Sequence, residues 1–282
     1  MELSDYSVVR SILTKHGFTF SKALGQNFLI DPTVCPRMAE ACGAKDAVGV
    51  LEIGPGIGVL TKELSQVAKK VVAVELDARL PEVLAETLAD CDNVTIVPGD
   101  ILSLDLPALL QEQFGDGPVA VCANLPYYIT SPVIMRLLES DLPFETITVM
   151  VQKEVADRLC AAPGTKAAGA ITVCVDYYAK AQQLFSVPKG AFLPSPKVDS
   201  AVIQLKKRAA PPAAVKDKAA FFRLVKAAFA QRRKTALNSI SNTLGTDKAK
   251  VAAALEVCGI APDARSETLT TAQFAALLDA LS

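Results

Sequence analysis

The sequence predicts an α/β fold, a parallel sheet covered by helices, followed by a small all-α C-terminal domain. Three observations predict it. Between Val48 and Val151 five short apolar runs rich in β-branched residues alternate with helical stretches. Glycine and proline signals separate them. Beyond Ala210 the strand pattern stops and Ala-rich helical segments take over. Strands alternating with helices build βαβ units, whose parallel sheet is buried on both faces. Crossovers in such sheets are right-handed, and ligands bind beyond the carboxyl ends of the strands.

The elements follow in order. Residues 5–16 form an amphipathic helix with Tyr6, Val9 and Leu13 on one face and Ser4 as N-cap. His16 and Gly17 then suit a C-terminal cap. SKALGQNFLIDP is small and polar and ends at a proline, and residues 33–42 are helical. Strands are expected at Val48–Ile53, Val71–Glu75, Val94–Val97, Val119–Ala123 and Ile147–Val151. Helices are expected at 58–68, 78–89, 107–114, 131–138 and 153–160. Residues 169–179 read as helix or strand, with helix preferred. Ala181–Val187 and Val198–Lys206 read as strands that complete a mixed sheet with one antiparallel member. KKRAAPPAAVKDK is a linker by composition, and 217–230, 232–244, 247–258 and 270–281 are helices. The domains are therefore 1–210 and 211–282, with no internal repeat.

Composition narrows the function. The chain has 282 residues, 51% hydrophobic and 21% charged, which is globular rather than disordered. No run approaches the ~18 apolar residues of a membrane span. The N-terminal stretch has acidic residues early and no long apolar core, so no leader is expected and the protein reads as cytoplasmic. Seven scattered cysteines without C-x-x-C read as reduced, buried thiols. A single histidine leaves no parts for a zinc site or a His-based triad, and no metal is expected.

The glycine loop Leu51–Thr61, LEIGPGIGVLT, joins the first strand to the first long helix. Gly54, Gly56 and Gly58 let the backbone turn tightly and approach a ligand. A dinucleotide fingerprint is G-x-G-x-x-G with the pyrophosphate at the helix N-terminus. Here the spacing is G-x-G-x-G preceded by Glu52, which fits a methyltransferase loop better than a dehydrogenase loop. A dehydrogenase would also need a proton donor, and the only histidine lies outside the sheet region. Glu75 ends the second strand, where a carboxylate can hold ribose hydroxyls. Asp100 follows the third, where it can accept from an adenine amino group. The fourth strand empties into Asn124, Leu125, Pro126, Tyr127 and Tyr128. That loop offers an amide, backbone carbonyls and a flat aromatic face, which suit a planar heterocycle with an amino group.

Charge is uneven. Between Lys206 and Lys250 there are 12 Lys/Arg against 2 Asp/Glu. Such a segment is built to meet a polyanion, RNA or DNA. Lys206, Lys207, Arg208, Arg223, Arg232, Arg233 and Lys234 are the expected phosphate contacts.

Taken together the motifs resemble the ribosomal RNA adenine dimethyltransferase family. They run in family order: KALGQNFLID (22–31), LEIGPGIGVLT, VVAVELD (71–77), GDIL (99–102) and ANLPYYITSP (123–132). VQKEVADRL (151–159), GAFLPSPKVDS (190–200), QRRKTALNS (231–239) and RSETLT (265–270) follow. The likeness covers nearly the whole chain, with no departure at a motif position. It implies a Rossmann-like class I methyltransferase sheet with a small C-terminal all-α domain, S-adenosyl-L-methionine as methyl donor, and no metal. It also implies N6,N6-dimethylation of two adjacent adenosines near the 3′ end of small-subunit (16S) rRNA, during small-subunit ribosome biogenesis. The partner is then small-subunit rRNA or the pre-30S subunit, met by a monomer. By the same resemblance Asn27 and Leu29 contact the cofactor, and Gly54 and Gly56 line its loop. Glu75 holds the ribose and Asp100 the adenine. Asn124 and the Leu125 carbonyl lie between cofactor and target, Tyr127 stacks on the target adenine, and Phe192 covers its other face. Erythromycin-resistance methyltransferases, which modify large-subunit rRNA, share these motifs, and a non-catalytic assembly factor could keep them. SPKVDS and the long tail look more like the small-subunit enzyme.

Overall fold

The computed structural model describes residues 2–21 and 24–282; Met1 lies outside, as do Lys22 and Ala23, which open the KALGQNFLID motif. The chain runs α1 (Tyr6–Lys15), β1 (Phe28–Leu29), α2 (Val34–Ala41), β2 (Gly49–Ile53), α3 (Val59–Val67), β3 (Val71–Glu75), α4 (Leu80–Thr87), β4 (Val94–Pro98) and α5 (Leu106–Phe114). Next come β5 (Val119–Asn124), α6 (Thr130–Glu139), β6 (Phe144–Gln152), α7 (Lys153–Leu159), α8 (Ala170–Tyr178), β7 (Ala179–Val187), β8 (Phe192–Leu193) and β9 (Ser200–Lys207). Four helices end it: α9 (Lys218–Phe229), α10 (Ala236–Leu244), α11 (Lys248–Val257) and α12 (Thr271–Leu281).

The seven-stranded sheet has the order β4-β3-β2-β5-β6-β9-β7. Strands β2 through β6 pair in parallel, and β9 is antiparallel to β6, as the sequence pattern predicts. Every residue of β2 and β3 is buried, because helices cover both faces. That burial explains the continuous apolar runs, in which Glu52 is the exception inside β2. Strand order departs in opposite directions from β2 and β5. The crevice at their carboxyl ends is thus the topological switch point, where such sheets bind ligands.

Several local expectations change. Asp5, not Ser4, caps α1: its carboxylate accepts from the amides of Ser7 and Val8, while Ser4 turns to Glu2. His16 occupies the C-cap, and Gly17 at φ +58° lets the Phe18 amide reach back to the Leu13 carbonyl at 2.8 Å. Helix α10 starts at Ala236 rather than at 232, because Thr235 caps it by accepting from the Asn238 amide. Residues 232–234 therefore sit in the turn between α9 and α10. The β1–β8 ribbon has no counterpart in the sequence pattern. It pairs Phe28 with Leu193 and Leu29 with Phe192, antiparallel.

Two compact units divide the chain: Met1–Ala156 with Gln182–Lys207, and Asp157–Ala181 with Arg208–Ser282. Of the expected first domain, 1–210, residues 157–181 and 208–210 fall in the second unit. In the second unit Tyr177 of α8 packs its ring on Phe221 and Phe222 of α9 at 5.2 and 5.4 Å, and Thr271 donates to Asp176. Aromatic burial holds α8 with the C-terminal helices although it precedes the last strands in sequence.

Candidate active site

A cleft of about 1130 Å³, counted out to its mouth, opens at the carboxyl ends of β2, β3 and β5, wholly within the first unit. Cavities of ~300–1,000 Å³ hold small molecules and cofactors. Every catalytic and cofactor-binding residue expected from the sequence lines this cleft.

The glycine loop forms one wall. Gly54 has φ +69°, and a Cβ there would meet no atom within 4 Å, so its bare face looks into open space. A Cβ on Gly56 would instead press the Phe28 ring at 3.1 Å. At the end of β3, Glu75 Oε1 accepts from the Asp77 amide at 2.7 Å and Oε2 from the Gly56 amide at 3.3 Å. Burial raises the Glu75 pKa, and those two amides oppose the rise. Asp77 binds the Arg79 guanidinium at 2.8 and 2.6 Å and takes 2.7 Å from Gln26 Nε2. The guanidinium foremost, with the Gln26 amide, holds the Asp77 carboxyl at about 2. Gln26 also accepts from the Ser21 amide, so it ties the N-terminal loop to the end of β3. Asn27 donates to the Gly25 carbonyl at 2.9 Å, which fixes its amide within that loop. Leu29 is buried and held by the β1–β8 ribbon.

Asp100 heads the turn after β4. Its Oδ1 accepts from the Leu102 amide at 2.9 Å. No other hydrogen bond joins its carboxylate among the described residues, so Oδ2 is available. Glu52 is only 1% exposed, and its Oε2 has no hydrogen-bond partner. Burial pushes its pKa up to about 8; the Thr61 hydroxyl pulls it down without the geometry of a full hydrogen bond, and Glu75 adds to the rise. A buried acid whose folded pKa exceeds its ordinary 4.5 stabilises the fold fully below 4.5 and loses that contribution as pH rises toward 8. Relative to Glu52→Gln, the wild type should therefore lose on the order of several kcal/mol between those pH values. Chemical denaturation of both proteins across that range checks it, and parallel profiles would refute it.

The loop after β5 forms the opposite wall. Asn124 is half-buried, and its side-chain amide makes no hydrogen bond among the described residues. Tyr127 is also half-buried; its hydroxyl lies 2.9 Å from that of the fully buried Ser200. Ile129 and the Thr130 hydroxyl both donate to the Pro126 carbonyl, which turns the loop into α6. Phe192 lines the cleft; it is 4% exposed and sits in the same apolar cluster as Leu29, Met150 and Val187. Sequence reasoning missed Gln26, Leu76 and Ile101 in the lining. Leu76, apolar yet 49% exposed, directly follows Glu75 at the end of β3.

The basic residues divide. Arg232, Arg233 and Lys234 are exposed in the α9–α10 turn, and Arg223 is exposed on α9. Buried Ser239 pins that turn, accepting from the Gln231 amide at 3.1 Å and donating to the Ala227 carbonyl at 2.7 Å. Lys206 and Lys207 are exposed at the end of β9, and the Lys207 ammonium donates to the Leu142 carbonyl at 3.0 Å. Arg208 is corrected: its guanidinium binds the Asp176 carboxylate at 2.6 Å and the Asp176 carbonyl at 2.8 Å, which commits it internally. Among the described residues no His, Cys, Asp and Glu cluster could hold a metal, and no helix is long and apolar enough to cross a membrane.

Comparison with known proteins agrees with this geometry. Residues 17–282 match the family described as ribosomal RNA adenine dimethylase. The ribosomal RNA small subunit methyltransferase A of Geobacillus thermodenitrificans is 50% identical over 276 residues, covering 96% of this chain and 94% of that protein. The protein of the same name from Streptococcus pneumoniae is 47% identical, covering 100% of this chain and 98% of its own. Among solved structures, a dimethyladenosine transferase from Plasmodium falciparum aligns with TM-score 0.73 and 25% identity over 89% of this chain and 95% of its own. The 23S rRNA methyltransferase ErmE aligns with TM-score 0.67 and 29% identity over 90% of this chain and 99% of its own. The chain belongs to the ribosomal RNA adenine dimethylase family.

Proposed function

We propose that the protein dimethylates N6 of two adjacent adenosines near the 3′ end of small-subunit rRNA, with S-adenosyl-L-methionine as methyl donor, during small-subunit biogenesis. The observation that carries the reading is the unpartnered Asn124 amide, held at the end of β5 in the same cleft as the glycine loop, Glu75 and Asp100. The full-length likeness to small-subunit methyltransferases supports the choice of RNA.

The cleft fits the donor. Gly54 offers backbone without a side chain, and Asp100 offers an oxygen for an adenine amino group. Glu75 stands where ribose hydroxyls are held. When bound, the donor supplies an electrophilic methyl on a sulfonium. The protein has to position its acceptor, whose N6 lone pair is delocalised into the ring. Asn124 Oδ1 and the Leu125 carbonyl accept the two N6 hydrogens and turn that lone pair out of the ring plane. An amide cannot take a proton, so the N6 proton leaves to water after transfer. Tyr127 holds the base by stacking, and the Ser200 contact fixes its ring. The first methyl removes one N6 hydrogen, so the second step leans more on stacking. A base within a helix must be extruded or presented in a loop or end.

Incubation with unmethylated small subunits and labelled donor, followed by mapping, should find two neighbouring dimethyladenosines near the rRNA 3′ end. Label at other nucleotides, or donor binding without transfer to these subunits, would overturn the proposal. The α9–α10 turn supplies phosphate contacts that carry no sequence information. Changing Arg232, Arg233 and Lys234 to Gln should weaken RNA binding and lower the slope of log affinity against log salt by roughly 2. Titrations at several salt concentrations test it; an unchanged slope removes the turn from the RNA contacts.

A further inference from the structure

Arg136 is a cation that the reaction above does not use. It projects from the last turn of α6, the helix that begins at the Asn124–Tyr128 loop. Its Nη1 donates to the Leu102 carbonyl at 2.5 Å and its Nη2 to the Leu104 carbonyl at 2.6 Å. Nε is buried without a partner, and no carboxylate meets the guanidinium among the described residues. Arg136 is half-buried, and its guanidinium is spent on two backbone carbonyls of one turn rather than on a carboxylate.

The object it grips is the Asp100 turn. Inside that turn every bond converges on Asp100: its Oδ1 takes the Leu102 amide, and its carbonyl takes the amides of Ser103 and Leu104, all at 2.9 Å. Two anchors hold the turn from outside. At one end the Gly99 amide donates to the Glu75 carbonyl at 2.8 Å. At the other end stands the Arg136 fork. Without Arg136 the Gly99 amide is the one hydrogen bond that reaches the turn from outside among the described residues, beside the packing of buried Ile101, and Asp100 gains freedom to move.

We propose that Arg136 is a positioning residue for the nucleoside end of the cleft: it clamps the turn 99–104 so that the free oxygen of Asp100 faces the adenine of the methyl donor. The inference rests on the donor reading above and adds a residue that touches neither substrate. Its signature is base selectivity. A general loosening would weaken every ligand alike, whereas loss of the clamp weakens only ligands that use the Asp100 oxygen.

The test is calorimetric binding of two demethylated ligands to the full-length protein: S-adenosylhomocysteine and its inosine counterpart, in which an oxo group replaces the 6-amino group. The wild type should prefer the adenine ligand by about 10–100-fold, the value of a hydrogen bond to a charged group. In Arg136→Met the preference should fall to within about 3-fold, mostly through weaker binding of the adenine ligand. Asp100→Asn should lose the same preference, and the double variant should lose no more. Arg136→Lys keeps the charge without the fork and should be intermediate. A wild-type preference in Arg136→Met overturns the inference alone. Should that variant fail to fold, a wild-type preference in Arg136→Lys does the same. Absence of any preference in the wild type overturns the adenine assignment, and the inference with it.

Discussion

Asn124→Ala is expected to lower the single-turnover rate of methyl transfer by about 10²-fold, the cost of losing one orienting contact at a reacting atom. RNA and donor binding should change little. The side chain makes no hydrogen bond within the described residues, so its removal leaves no buried partner stranded. Tyr127→Ala should behave differently. Its ring contributes stacking, worth roughly 1–3 kcal/mol per base, and that contribution serves both methylations. Unmethylated and monomethylated RNA should therefore bind the Tyr127 variant more weakly, whereas the Asn124 variant should bind both normally and react slowly. Single-turnover kinetics on the two RNAs separates the roles, and equal losses of RNA binding in both variants would sink the assignment.

Gly54→Val should abolish donor binding while the fold survives. At φ +69° a β-branched residue is a backbone outlier, and left-handed geometry costs about 1–2 kcal/mol. Nothing lies within 4 Å of the new Cβ, so no core atom is displaced. The side chain instead enters the space that a ligand backbone would occupy. Donor affinity should fall by more than about 100-fold, and the thermal stabilisation that S-adenosylhomocysteine gives the wild type should vanish. Wild-type stabilisation of the variant would show that the glycine loop does not border the donor.

The parts of this molecule that were legible in the sequence are those with a period or a shared geometric rule. Four of the five parallel strands, β2, β3, β5 and β6, showed themselves as apolar runs because both sheet faces are covered there, whereas edge strand β4 is only partly buried. Glu75 and Asp100 stood out because successive parallel strands discharge at one edge. The β1–β8 ribbon stayed invisible, since two residues per strand carry no alternation. Helix α8 was legible only as helix or strand, and not as a member of the second unit, because its partners on α9 and α12 come later in the chain. Arg208 looked free because the carboxylate that takes it lies 32 residues away. The elevated pKa of Glu52 depends on burial, which its place inside an apolar strand hints at but does not measure. The motif puts Phe192 at the cleft, but its burial in the apolar cluster was not legible, because a motif records position and not packing.

The β1–β8 ribbon also constrains how the enzyme can be altered. Phe28 and Leu29 continue the N-terminal loop, and their partners Leu193 and Phe192 belong to the loop before β9. If the proposed roles hold, these four residues rivet the donor-side and acceptor-side walls of the cleft together. A slip of one residue would turn Phe192 away from the cleft and Leu193 into it, since strand side chains alternate between faces. Changes selected for a new methyl donor would be felt by the target base through this rivet, and the reverse. Reprogramming either specificity therefore means exchanging both loops as a matched cassette rather than one at a time.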